Sequence, residues 1–190
     1  MSNDAAGVAS AAISGVSLLN DIVQESINAS SRSVSIHLTN NCESKLLINP
    51  QVYTNSGYCC DPPQPTVGQG VTETCGFENT KGAACGAVGV LTYDITEDRK
   101  TKAVKRLAIM FSVPFDYASF ENWFAVGLFD TAQACDSYLY NLMYNNEGSF
   151  KREKASGSEI SFQKDEEFIL LGTMSPAAKA EIKVELWDKD

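Results

Sequence analysis

Residues 107–124 read LAIMFSVPFDYASFENWF, the stretch of this 190-residue chain with most chemistry in it. An apolar run ends at Val113, and Pro114 has no N–H to offer a neighbouring strand. Phe115, Tyr117, Phe120, Trp123 and Phe124 follow, interleaved with Asp116, Ser119, Glu121 and Asn122. Tyr and Trp suit a membrane interface, with an apolar body and a polar tip. Aromatic faces also hold quaternary ammonium groups by cation–π attraction. Tyr140 and Tyr144 are four apart and share one face of a helix, so they can add two more rings. A choline headgroup needs such a cage, plus hydroxyls for its phosphate. Core packing is the competing fate of these rings, above all for Phe111 and Trp123.

Catalytic patterns are weak by comparison. His37 is the one histidine, in an alternating segment where it reads as a solvent-side strand residue. Cys42, Cys59, Cys60, Cys75, Cys85 and Cys135 form no paired CxxC pattern, so no metal site is expected. They read as free, mostly buried thiols. Gly82–Gly86 and Gly86–Gly89 lack the Lys-Ser/Thr of a phosphate-binding loop. No enzyme and no cofactor is expected. The formal net charge of −9 argues against a nucleic-acid partner and against strong attraction to an anionic lipid surface. A zwitterionic headgroup suits an acidic chain better.

These residues need a scaffold. Residues 5–30 place Val8, Ala12, Val16, Leu19, Val23 and Ile27 on one helical face, opposite Ser10, Ser14, Ser17, Asp21, Gln24 and Glu25. Residues 7–29 as a helix span about 35 Å, close to the ~30 Å hydrocarbon thickness of a bilayer. Packing against a sheet is the commoner fate of such a helix. Its polar face carries Asp21 and Glu25 in place of Lys and Arg, which suits the wall of a cation-preferring pore. From Arg32 the period drops to two: Val34, Ile36 and Leu38 alternate with polar residues. Further strands are expected at 46–52 (broken at Pro50), 87–93, 107–113, 123–129, 168–173 and 180–187. Residues 54–84 read as loop with short edge strands. Arg99 to Arg106 reads as a solvated turn. A second helix is expected near 131–145, capped by Asp130 or Thr131. The pattern is that of a single mainly-β domain over 1–190, a sandwich or barrel over 32–190.

GAVGVLTY at 86–93, FSVPFDYASFENWF at 111–124 and YNLMYNNEG at 140–148, in this order behind an amphipathic helix and Ser31-Arg32, resemble the actinoporin family of pore-forming cytolysins, in particular its vertebrate (fish-type) branch. The resemblance covers the chain from about residue 7 to the end. It implies a β-sandwich flanked by two α-helices, one of them the N-terminal amphipathic helix. It implies a phosphocholine site at Ser56, Val88, Ser112, Pro114, Phe120, Tyr140 and Tyr144, with sphingomyelin or phosphatidylcholine as ligand. Arg32, Phe115, Tyr117, Trp123 and Phe124 would sit at the membrane interface, and Asp21 and Glu25 would line a homo-oligomeric pore. Where sea-anemone members carry Trp-Tyr in the loop, this chain has Ser119-Phe120, and fewer interfacial aromatics should weaken anchoring.

Fungal fruit-body lectins resemble the same fold, so the alternative is a non-lytic module that binds lipid or glycans. No signal peptide is seen, so export by a non-classical route, or a cytoplasmic location, is expected before action at a target-cell membrane.

Overall fold

A computed structural model describes residues 31–189. The N-terminal helix expected over 5–30, with Asp21 and Glu25, lies outside the described residues.

Twelve strands form two six-stranded sheets. They are β1 (Ser33–Asn40), β2 (Leu46–Ser56), β3 (Tyr58–Asp61), β4 (Thr66–Val67), β5 (Val71–Glu78), β6 (Ala87–Thr96), β7 (Lys105–Val113), β8 (Trp123–Phe129), β9 (Phe150–Lys154), β10 (Ile160–Phe162), β11 (Phe168–Met174) and β12 (Lys179–Asp188). The first sheet runs β10-β11-β12-β1-β5-β3, and the second β4-β2-β6-β7-β8-β9. β1 pairs with β12 in parallel and with β5 antiparallel. Strand alternation sends Val34, Ile36 and Leu38 into the space between the sheets, where they meet Phe77, Leu91, Phe111, Phe124, Ile182 and Val184 in one apolar core. One helix, α1 (Ser137–Asn145), is present among the described residues.

α1 covers the outer face of the second sheet. Leu139, Tyr140 and Met143 pack on Val88, Val90, Ala108, Met110 and Ala125 in a second apolar cluster. Burying side chains such as Leu139 and Met143 contributes about 1.5–3 kcal/mol each, which a helix of nine residues needs, being too short to stand alone.

Five sequence expectations change. α1 starts at Ser137, because Asp136 caps it: its carboxylate accepts the Leu139 N–H at 3.0 Å. Asp130 instead closes a turn by accepting from Ala132 at 2.8 Å. β2 continues past Pro50, taking up the proline in a bulge where Asn49 adopts φ 52°. Val71–Glu78, read as loop and edge, is a full strand paired along all of β1. Lys105 and Arg106 are not a solvated turn. Arg106 is buried and donates to Asp94 at 2.8 Å, and Lys105 pairs with Asp165. All six cysteines are free thiols, but only Cys42 and Cys75 are buried. Burial pushes both of these up to about 12, so they stay protonated at neutral pH.

Candidate functional site

Four of the expected site residues fall on or beside one row across the second sheet. Ser56 pairs with Val88, Val88 with Ser112, and Ser112 with Trp123. Residues opposite each other in antiparallel strands point to the same face. Val88 belongs to the cluster under α1, so the row lies on the face that α1 covers, at the end of the sheet from which the chain leaves β7 through Pro114. A bulge between Thr54 and Ser56 sets the Ser56–Val88 register. Gly89 must be glycine here, because a Cβ would stand 2.4 Å from the Tyr53 carbonyl oxygen.

The next row carries Tyr53, Val90, Met110, Ala125 and Arg152. Above it the helix supplies two rings. Tyr140 stacks on Tyr144 with centroids 5.6 Å apart, and Tyr53 approaches Tyr140 at 6.5 Å. The floor is nearly closed: Ser112 is 4% and Tyr140 6% exposed. Ser56, Tyr144, Pro114 and Trp123 are half-buried. Burial, then the neighbouring phenols, raises the Tyr140 pKa, so its hydroxyl keeps its proton. The Arg152 guanidinium lies 5.2 Å over the Trp123 ring and donates to the carbonyl of Tyr144. A cation thus stands between the helix tyrosines and the end of the serine row.

The loop after Pro114 is built differently. Arg32 is only 8% exposed. Its Nε donates to the Pro114 carbonyl at 3.0 Å and a terminal nitrogen to the Phe115 carbonyl at 2.7 Å. Its guanidinium also lies over the rings of Phe115 and Tyr117, at 5.4 and 5.0 Å. Asn122, buried, donates to the carbonyls of Ser175 and Ala177 and accepts from the Tyr117 hydroxyl at 2.7 Å. Asp116 turns the loop by accepting the Ala118 N–H at 2.9 Å. The side-chain hydrogen bond from Ser119, and then the one from the Ala118 N–H, hold the Asp116 carboxyl below its usual pKa. Phe120 is left 56% exposed at the tip.

Two residues expected at the interface are buried. Phe124 is a core residue, 1% exposed, because alternation along β8 turns it inward when Trp123 turns outward. Arg32 donates to the carbonyls of Pro114 and Phe115 in the loop it clamps. Sequence reasoning missed Tyr53, which sits in a strand with no distinguishing pattern. It also missed Arg152, in the charged run KREK, where only the strand register shows which cation meets Trp123.

These features define a class: a two-sheet β-sandwich with a helix laid over one face and an aromatic loop at one end. The profile of the sea anemone cytotoxic protein family matches residues 6–186, and the chain belongs to this actinoporin family. DELTA-actitoxin-Aeq1a of Actinia equina is 31% identical over 150 residues, 77% of this chain and 67% of that protein. Bryoporin of Physcomitrium patens is 33% identical over 103 residues, 54% of each chain. DELTA-alicitoxin-Pse1b of Phyllodiscus semoni is 44% identical over 68 residues, 36% of this chain, and the match spans 27% of that toxin's length. Among solved structures, the lipid binding protein Nakanori superposes with a TM-score of 0.58 at 14% identity, over 82% of this chain and 70% of that one, a likeness of fold.

Proposed function

We propose that this protein is a pore-forming cytolysin that docks on choline-headgroup lipid, assembles with copies of itself and inserts its N-terminal helices. The observation that carries the reading is the convergence of the serine row with the tyrosines of β2 and α1. Tyr53, Tyr140 and Tyr144 supply ring faces for a quaternary ammonium. Ser56 and Ser112 supply hydroxyls, and Arg152 a guanidinium, for the attached phosphate. Phe120 and Tyr117 would enter the interfacial layer beside the headgroup. Family membership supports cytolysis as the outcome. The inserting element in this reading is the amphipathic helix expected over residues 5–30, with Asp21 and Glu25 facing the pore.

Dye release from phosphatidylcholine vesicles, with and without sphingomyelin, tests this. The full chain should release dye, and a chain lacking residues 1–29 should bind without release. Equal leakage by both would sink the insertion mechanism. The likeness to a lipid binding protein favours one further reading, a module that binds lipid without lysis. That reading predicts vesicle binding by the full chain and no leakage.

A further inference from the structure

The two sheets leave a seam on the side where β9 ends one and β10 ends the other. A groove of about 330 Å³ opens there, lined by Asn146, Glu147, Lys151, Arg152, Gln163 and Lys164. Phe150 and Phe162 are buried beneath it and close its floor. The chain as a whole carries −9, yet the lining of this groove includes Lys151, Arg152 and Lys164 against one carboxylate.

Those cations are poorly neutralised. Lys151 pairs with Glu153 at 2.7 Å, but both side chains are well exposed, and such a pair is weak. Arg152 and Lys164 join none of the ion pairs among the described residues. Each bonds only a neutral carbonyl: Arg152 that of Tyr144, and Lys164 that of Gly148 at 3.4 Å. The cations come from both walls, Lys151 and Arg152 on β9 and Lys164 from the turn after β10. Weakly compensated charges held opposite each other across a concave space fit an oxyanion. The remaining lining groups are side-chain amides, a hydroxyl and the Glu147 carboxylate, which fit hydroxyl groups.

We propose that this groove is a second ligand site, for the phosphate ester of a polyol. The phosphate lies between Lys151 and Lys164, and the polyol hydroxyls meet Glu147, Asn146 and Gln163. The volume sits at the small end of ligand sites, enough for one ring-sized headgroup and too little for an extended glycan. Because Arg152 also lies over Trp123, it forms the wall between this groove and the tyrosine site.

Titration of the full chain with soluble inositol 1,4-bisphosphate and with inorganic phosphate, at low salt by calorimetry, tests the site directly and independently of any membrane activity. The bisphosphate should bind at least tenfold tighter than inorganic phosphate. The double variant Lys151→Gln/Lys164→Gln should lose at least tenfold of that affinity while its thermal midpoint stays put. Absence of bisphosphate binding, or an unchanged affinity in the double variant, overturns the proposal. Equal affinity for the two anions overturns the polyol assignment. Vesicles of phosphatidylcholine with and without phosphatidylinositol 4-phosphate then distinguish the source. A gain in binding that the double variant abolishes, with binding to pure phosphatidylcholine unchanged, assigns a lipid headgroup. No gain, alongside bisphosphate binding in solution, supports the site with a soluble polyol phosphate as its ligand.

Discussion

The tyrosines beneath α1 and the aromatics of the 114–122 loop are held by different forces. Tyr53 and Tyr140 sit on a strand and a helix, and their positions follow from sheet register and from an apolar cluster. Phe115 and Tyr117 sit on irregular backbone, and their positions depend on one guanidinium and one asparagine. The first group is set by non-directional burial, which tolerates little volume change. The second is set by directional contacts to neutral carbonyls and rings, each modest in net terms. A headgroup site on the first and a membrane-facing tip on the second would therefore respond differently to mutation.

The largest effect separating them should come from Tyr140→Ala. Removing a buried ring from the helix–sheet cluster should cost about 3–5 kcal/mol in urea denaturation, and vesicle binding should fall with it. Tyr140→Phe should recover most of the stability, because stacking and volume survive. Arg32→Ala should cost less, about 2 kcal/mol, and its damage should be local. Hydrogen exchange at residues 115–120 should accelerate while α1 amides keep their protection. Unchanged exchange in the loop would mean that the clamp is not what holds it.

Smaller still is Phe120→Ala. Stability should stay within about 0.5 kcal/mol, because the ring is exposed, while vesicle binding should drop several-fold. The smallest effect is expected from pH. Asp116 is held below its usual value of 3.8 by hydrogen bonds from Ser119 and the Ala118 N–H. Its contribution to loop order is full above that usual value and is lost as pH falls through the lower folded-state pKa. Proton NMR of the loop amides should show them loosening below about pH 4, with α1 resonances unmoved.

Much of the scaffold was readable along the chain. Alternation in β1 and β12, the apolar runs of β6 to β8 and the tyrosine pair of α1 all appear as local periodicity. β5 did not, because VTETCGFE alternates poorly and is a strand by virtue of its pairing with β1. The true cap of α1 was missed because Asp130 and Asp136 are equally good cap residues, and packing on the sheet decides which one starts the helix. β9 and β10 are short and charged or polar in part, so their assignment rests on partners distant in sequence.

By itself the sequence determined the concentration of rings between residues 115 and 124, the paired tyrosines, the acidic balance and the family of the chain. Those are matters of residue type and order. Only the tertiary structure decided which rings are available. It turned Trp123 out and Phe124 in, and it set Arg32 in a buried place where it donates to the Pro114 and Phe115 carbonyls. It also aligned Ser56, Val88 and Ser112 across three strands and set Arg152 beside Trp123. The reason is that strand pairing joins residues tens of positions apart, and a shift of one residue exchanges the buried and exposed faces.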